Sequence, residues 1–207
     1  SENAGGMPGT FPHTRGNSTL STSRHGWDIE QSYNLDESNL NQSILTDLQK
    51  GVSSIHLVAG AGKPTFEQVK NALAGVHLNM ASVSFDGGEH SKHANEFLSQ
   101  VLKEHSQEAR GSFMQDPLGQ FAQAGSWDES SLPKLGKLAK ANRQNYPKMK
   151  TASVSTEVYH AAGASDAQCL AFAMSTAVAY LRSMEDAGLS IEDSTRQIGF
   201  HLAVEID

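Results

Sequence analysis

Four groups of residues in this 207-residue sequence are of types that could do chemistry. Gly60-Ala61-Gly62-Lys63 carries the Gly and Lys of a phosphate loop. Such a loop also needs a Gly five residues before its second Gly, and a Ser or Thr after the Lys to reach magnesium. Those positions hold Leu57 and Pro64, and Pro has no N–H to offer a phosphate. The stretch reads as a Gly-rich turn before a helix. His90 and His93, three apart near a helix start, could aim two imidazoles at one point, but zinc wants three or four protein ligands. No Cys or carboxylate pattern completes that set, so a solvated helix face is the expectation. Asp86-Gly87-Gly88-Glu89 follows a strand and could place two carboxylates as an acid/base pair at a barrel mouth. It equally suits a turn into an acidic helix start. No Ser-His-Asp arrangement can be defended from spacing.

The elements that must position these residues alternate along the chain. Residues 1–25 are rich in Gly, Ser, Thr and Pro and read as an irregular N-terminal arm; residues 26–207 form the structured domain. Strands are expected over Trp27–Tyr33, Ser53–Val58, Met80–Phe85, Gly111–Gln115, Thr151–Ser155 and Phe200–Ile206. Between them lie helical patterns. Leu40, Ile44 and Leu48 recur every four residues up to Gly51, and Thr65 with Gln68 makes a capping box closed by Gly75. Ala94, Phe97, Leu98, Val101 and Leu102 share a face, and Leu135, Leu138 and Ala139 mark a basic helix that Pro147 ends. Ser165 and Gln168 cap the longest helix, whose buried face is expected to be Leu170, Met174, Val178 and Leu181. Ser190 caps a short last helix.

This order argues for α/β architecture with parallel strands, either a partial (β/α)8 TIM barrel of about six βα units or an open doubly wound sheet. A closed barrel needs eight strands, so the remainder would come from further sequence or another chain. An uncovered last strand would carry unpaired N–H and C=O groups.

Composition narrows the class. A 38% apolar and 19% charged fraction is that of an ordinary folded domain. No run approaches the ~20 apolar residues of a membrane span, and the amino terminus shows no secretory pattern. Cys169 is the single cysteine, which fits a reducing, cytoplasmic location. The net charge is −7 and the 16 Lys and Arg are scattered, whereas a nucleic-acid surface needs a basic stripe.

Two stretches go further. Phe11-Pro12-His13-Thr14-Arg15-Gly16, followed by Arg24-His25-Gly26-Trp27-Asp28-Ile29-Glu30-Gln31, resembles the "PFTRG … RxW-T-x-R-Q-Y" start of the methylmalonyl-CoA mutase barrel. Tyr159-His160-Ala161-Ala162-Gly163-Ala164-Ser165, with Leu170-Ala171-Phe172-Ala173 and Ala179-Tyr180-Leu181, is similar to that family's "AGA … ELA-[FY]-x-LA … EYLR" segment. Ala187-Gly188-Leu189-Ser190-Ile191-Glu192 is similar to its "AGLxxDD". The likeness runs from Phe11 to Asp207.

The resemblance implies a radical isomerisation between methylmalonyl-CoA and succinyl-CoA started from adenosylcobalamin, with the substrate's pantetheine arm threading the barrel axis. It also implies that cobalamin is held by a separate carboxyl-terminal domain through an Asp-x-His-x-x-Gly motif, which this sequence lacks. This chain would then not hold the cofactor directly. Carried over by position, the family's reaction residues are replaced. The Arg that pairs the substrate carboxylate corresponds to Glu30, and the Tyr shielding the radical site to Ser32. The Gln of the fourth strand corresponds to Met114 and a substrate-binding Arg to Ala124. The His that polarises the thioester carbonyl corresponds to Val158. His160 stands where catalytic chains have Gln. The "Tyr-His-x-Ala-Gly-Ala" spelling is similar to that of the small, non-catalytic subunit of heterodimeric members, which docks on a large catalytic chain. Two further expectations are kept beside that one: a mutase chain of altered specificity that still binds acyl-CoA, and an unrelated barrel enzyme using Asp86 and Glu89.

Overall fold

The structure is a computed structural model that describes Thr10 and residues 27–203. The rest of the expected arm over residues 1–25, the Phe11–Gly16 motif, and the end of the last expected strand lie outside the described residues. Six strands are present: β1 (Glu30–Asn34), β2 (Ser54–Val58), β3 (Ser82–Asp86), β4 (Gly111–Gln115), β5 (Met149–Ser155) and β6 (Ile198–His201). All neighbours pair in parallel, in the order β1-β2-β3-β4-β5-β6.

That order decides between the two architectures. A doubly wound sheet reverses its strand order partway and carries helices on both faces. Sequential parallel strands joined by right-handed crossovers place every helix on one side. The chain is therefore a wall of a β/α barrel, with helices outside and a concave face, the lumen, within.

The helices are α1 (Leu40–Gln49), α2 (Phe66–Ala72), α3 (Ser91–Val101), α4 (Pro117–Ala124), α5 (Ser131–Asn145), α6 (Glu157–Ala161), α7 (Asp166–Asp186) and α8 (Ile191–Arg196). Both capping boxes form: Thr65 accepts from the Gln68 N–H and Ser165 from the Gln168 N–H, and each Gln side chain returns to its cap. Tyr146 closes α5 at φ −133° and ψ 71°, outside the helical region that a following proline disfavours. The short helices α4 and α6, at the carboxyl ends of β4 and β5, carry too few turns to show a period and are additions to the sequence reading.

Side chains alternate across each strand. On the outer face Ile44, Ile55, Leu57, Val69, Val83, Phe85, Leu98 and Phe113 form one apolar cluster between β1–β4 and the first helices. Leu135, Ala139, Val154, Tyr180 and Met184 form a second between β5, β6, α5 and α7.

The buried face of α7 differs from expectation. Cys169, Ala173, Ala177, Tyr180 and Met184 face the sheet, while Leu170, Met174 and Val178 are exposed and Leu181 is half-buried. Small residues let α7 lie close to its neighbours. A Cβ on Gly136 of α5 would stand 2.2 Å from the Ser183 carbonyl oxygen, so that crossing requires glycine. The larger apolar residues lie on the flank away from α5.

Candidate functional site: a hydroxyl-lined lumen

The residues that alternate inward are mostly serines. Ser54 of β2, Ser82 and Ser84 of β3, Ser112 of β4 and Ser153 of β5 line a cavity of about 760 Å³ that also receives Glu30 and Met114. Barrels of this architecture ordinarily fill the interior with layers of Val, Ile and Leu. Serines leave it unfilled and polar. The Ser54 hydroxyl donates to Glu30 Oε2 at 2.7 Å. Arg110, Lys148 and Lys150 line the cavity near the amino ends of β4 and β5, and Arg110 Nη2 donates to the Met80 carbonyl at 2.7 Å.

The next layer toward the carboxyl ends is different. Ser32 of β1 lies in register with His56 of β2, and its hydroxyl is 3.0 Å from His56 Nδ1. The His201 ring of β6 meets His56 edge-on, 5.9 Å between centroids. His56 Nε2 is buried and finds no hydrogen-bond partner. Burial holds this imidazole below the ordinary histidine range; Glu30, Asp86 and Glu157 oppose the shift and His201 adds to it.

On β4 the pairing with β5 slips between Ser112 and Gln115, and inside that bulge Met114 has φ 49°, a left-handed conformation unusual for methionine. Its N–H donates to the Ser112 hydroxyl at 3.0 Å. At the carboxyl-terminal mouth, Asp116 accepts from the Gly119 N–H at 3.0 Å, the Ser155 N–H at 3.3 Å and the Tyr180 hydroxyl. That hydroxyl also accepts from the Leu118 N–H at 3.0 Å. Burial pushes the Asp116 carboxyl up despite these bonds. Burial, then the adjacent Asp116, push the Tyr180 phenol far above its ordinary range.

The five positions carried over from the family are thus dispersed. Glu30 and Met114 share the cavity, and Ser32 binds His56 in the layer beyond it. Val158, on α6, and Ala124, exposed at the end of α4, lie on adjacent helices over the mouth. Of the acid pair, Asp86 accepts from the Gly88 N–H at 2.9 Å, and the exposed Glu89 lies 3.5 Å from His90 Nε2. His93 stacks on Phe97. No group of three or more metal-binding side chains occurs among the described residues. In the Gly60–Lys63 turn the Ala61 N–H donates to Asp36 Oδ2 at 3.0 Å, so a carboxylate of the chain itself holds that turn.

His56, His201, Asp116 and Tyr180 were not singled out by sequence. The signal for the lumen was present in Ser82-Val83-Ser84-Phe85, where serines two apart alternate with Val and Phe.

Sequential strands, one-sided helices and a polar, serine-lined interior define the wall of a β/α barrel. Comparison with known proteins then gives the family. The model of the methylmalonyl-CoA mutase family matches residues 58–207. A methylmalonyl-CoA mutase small subunit of Streptomyces virginiae is 33% identical across 98% of this chain and 33% of its own length. A probable methylmalonyl-CoA mutase small subunit of Mycobacterium tuberculosis (strain ATCC 25618 / H37Rv) is 28% identical across 97% of this chain and 33% of its own. For the methylmalonyl-CoA mutase small subunit of Propionibacterium freudenreichii subsp. shermanii the values are 26%, 98% and 32%. The chain belongs to the methylmalonyl-CoA mutase family, and its matched relatives are small subunits of that enzyme. It spans about a third of the length of the curated relatives it matches. No described helix is long and apolar enough to cross a membrane.

Proposed function

We propose that this chain is barrel sequence of a non-catalytic small subunit, whose work is to dock on a large catalytic chain that interconverts methylmalonyl-CoA and succinyl-CoA. The observation that carries the reading is Glu30. A carboxylate points into the cavity from β1, held by Ser54, at the position where the family places a carboxylate-pairing Arg. Two like charges there would repel, and burying both would cost more. The other four replacements, Ser32, Met114, Ala124 and Val158, remove groups that would hydrogen-bond or pair with an anionic thioester.

The residues present do not fit adenosylcobalamin. The sequence His160-Ala161-Ala162-Gly163 has the His-x-x-Gly spacing of the family's cofactor motif, but Val158 stands at its Asp position. An apolar residue on α6 cannot orient the imidazole as a carboxylate does. When bound in the family enzyme, the cofactor would supply the radical; on this reading another part of the assembly holds it.

The alternative, a chain that still binds CoA esters, draws support from the serine-lined cavity with Arg110, Lys148 and Lys150 at one end. Calorimetric titration of the full-length chain with succinyl-CoA separates the two readings. No heat is expected, and a saturable exotherm would remove the non-catalytic reading. Co-expression with a large mutase chain is expected to give a co-purifying pair; a full-length chain that stays apart from it would count against docking.

A further inference from the structure

β2 and β6 are four places apart in the sheet. On a flat sheet, at the roughly 4.8 Å spacing of paired strands, their side chains would be about 19 Å apart. Yet the rings of His56 and His201 meet, with centroids 5.9 Å apart and planes inclined by 70°. The sheet has curled until both rings reach inward across the concave face. In an eight-stranded closed barrel, the second and sixth strands stand on opposite walls. The histidine pair therefore spans the lumen as a diameter does.

We infer that His56 and His201 form a bar that closes the barrel axis to a rod-like ligand; this rests on the non-catalytic reading and says what keeps acyl-CoA out. Three observations support the bar. His201 lines the serine cavity, whereas His56 behind it is only 8% exposed and is not among the lining residues. His56 is braced from β1 by the Ser32 hydroxyl. Along the same register row the inward side chains are small as far as β4 (Ser32, Ser84 and Ser112), and beyond them stands the flexible Lys150. Without the two rings, this layer would be as open as the serine layer beneath it. A slender polar chain entering beside Arg110 and Lys150 would hydrogen-bond to serines as far as His201 and go no further.

The test uses propionyl-CoA, whose acyl group has no carboxylate for Glu30 to repel, titrated calorimetrically into the full-length chain. The double variant His56→Ser/His201→Ser is expected to bind at least tenfold more tightly than the unaltered protein. The bulk-retaining variant His56→Phe/His201→Phe is expected to show no gain. His201 is exposed, so His201→Ser alone should fold and should already gain several-fold, even if loss of His56 unsettles the barrel. A folded His201→Ser or double-Ser variant no tighter than the unaltered chain overturns the bar, and so does a Phe variant that gains as much as the Ser variant. Binding by the unaltered chain would instead overturn the non-catalytic reading, and the ratio between variant and unaltered protein would still decide the bar.

Discussion

The two faces of the sheet are built from different chemistry on the same strands. Outward, Ile55, Leu57, Val83, Phe85 and Phe113 are wholly buried against the helices. Inward, Ser54, Ser82, Ser84 and Ser112 are almost as buried, at 4–7% exposure, yet they contribute little apolar area and leave a cavity between them. Burial alone does not distinguish the faces; what each face touches does. The outer face holds the fold together, because apolar area removed from water is the main favourable term. The inner face is free to vary with what the axis must admit or refuse.

The sharpest way to break this comparison is to truncate one residue on each face at adjacent positions of β3. Phe85→Ala is expected to lose about 3–5 kcal/mol in urea denaturation, the range for a large buried aromatic. Ser84→Ala, next to it, should change stability by less than about 1 kcal/mol. Similar losses for both would mean that the lumen is as much a packed core as the outer layer.

At the rim where the faces meet, Asp116→Ala removes the N-cap of α4 and leaves the Ser155 N–H and Tyr180 hydroxyl without their acceptor. A loss of about 2–4 kcal/mol is expected, read as a lowered denaturation midpoint with unchanged m-value. Between the outer helices, Gly136→Ala would push a methyl group against the Ser183 carbonyl. It should cost about 1–3 kcal/mol, and the same denaturation series would detect a neutral result.

The smallest effect comes from the lumen. Since burial depresses the His56 pKa in the folded chain, the unfolded chain takes up its proton first as acid is added. Stability contributed by neutral His56 is present above about pH 6.5 and is lost as pH falls from there toward the depressed value. The groups facing it are Glu30, Asp86, Glu157 and His201. His56→Gln is expected to flatten the pH dependence of the melting temperature across that window, and an unchanged slope would remove His56 as its source.

Much of the outer layer was legible in the sequence. The pairs Thr65 with Gln68 and Ser165 with Gln168 announced two helix starts, since a hydroxyl and a reaching amide satisfy the same free N–H groups in any context. Gly111–Gln115 was bounded correctly because a glycine and the Asp116 cap punctuate it. Two features were not legible. On α7, apolar residues run down two flanks, so periodicity offered Leu170, Met174 and Val178 as readily as Cys169, Ala173 and Ala177. Only the close approach of α5 through Gly136 selects the small set. Nor could the site be read from spacing. His56 and His201 are far apart along the chain and meet only because the sheet curls.

The ridge of Leu170, Met174 and Val178 on α7 also has a practical consequence. These side chains are 41–59% exposed and follow one another at one-turn intervals, beside a strand whose Phe200 is itself 52% exposed. Handled at high concentration as this stretch alone, the polypeptide presents a greasy seam to its neighbours. It should take up a dye that fluoresces in apolar surroundings, and Met174→Lys with Val178→Glu should dim that signal while the fold's circular dichroism stays intact.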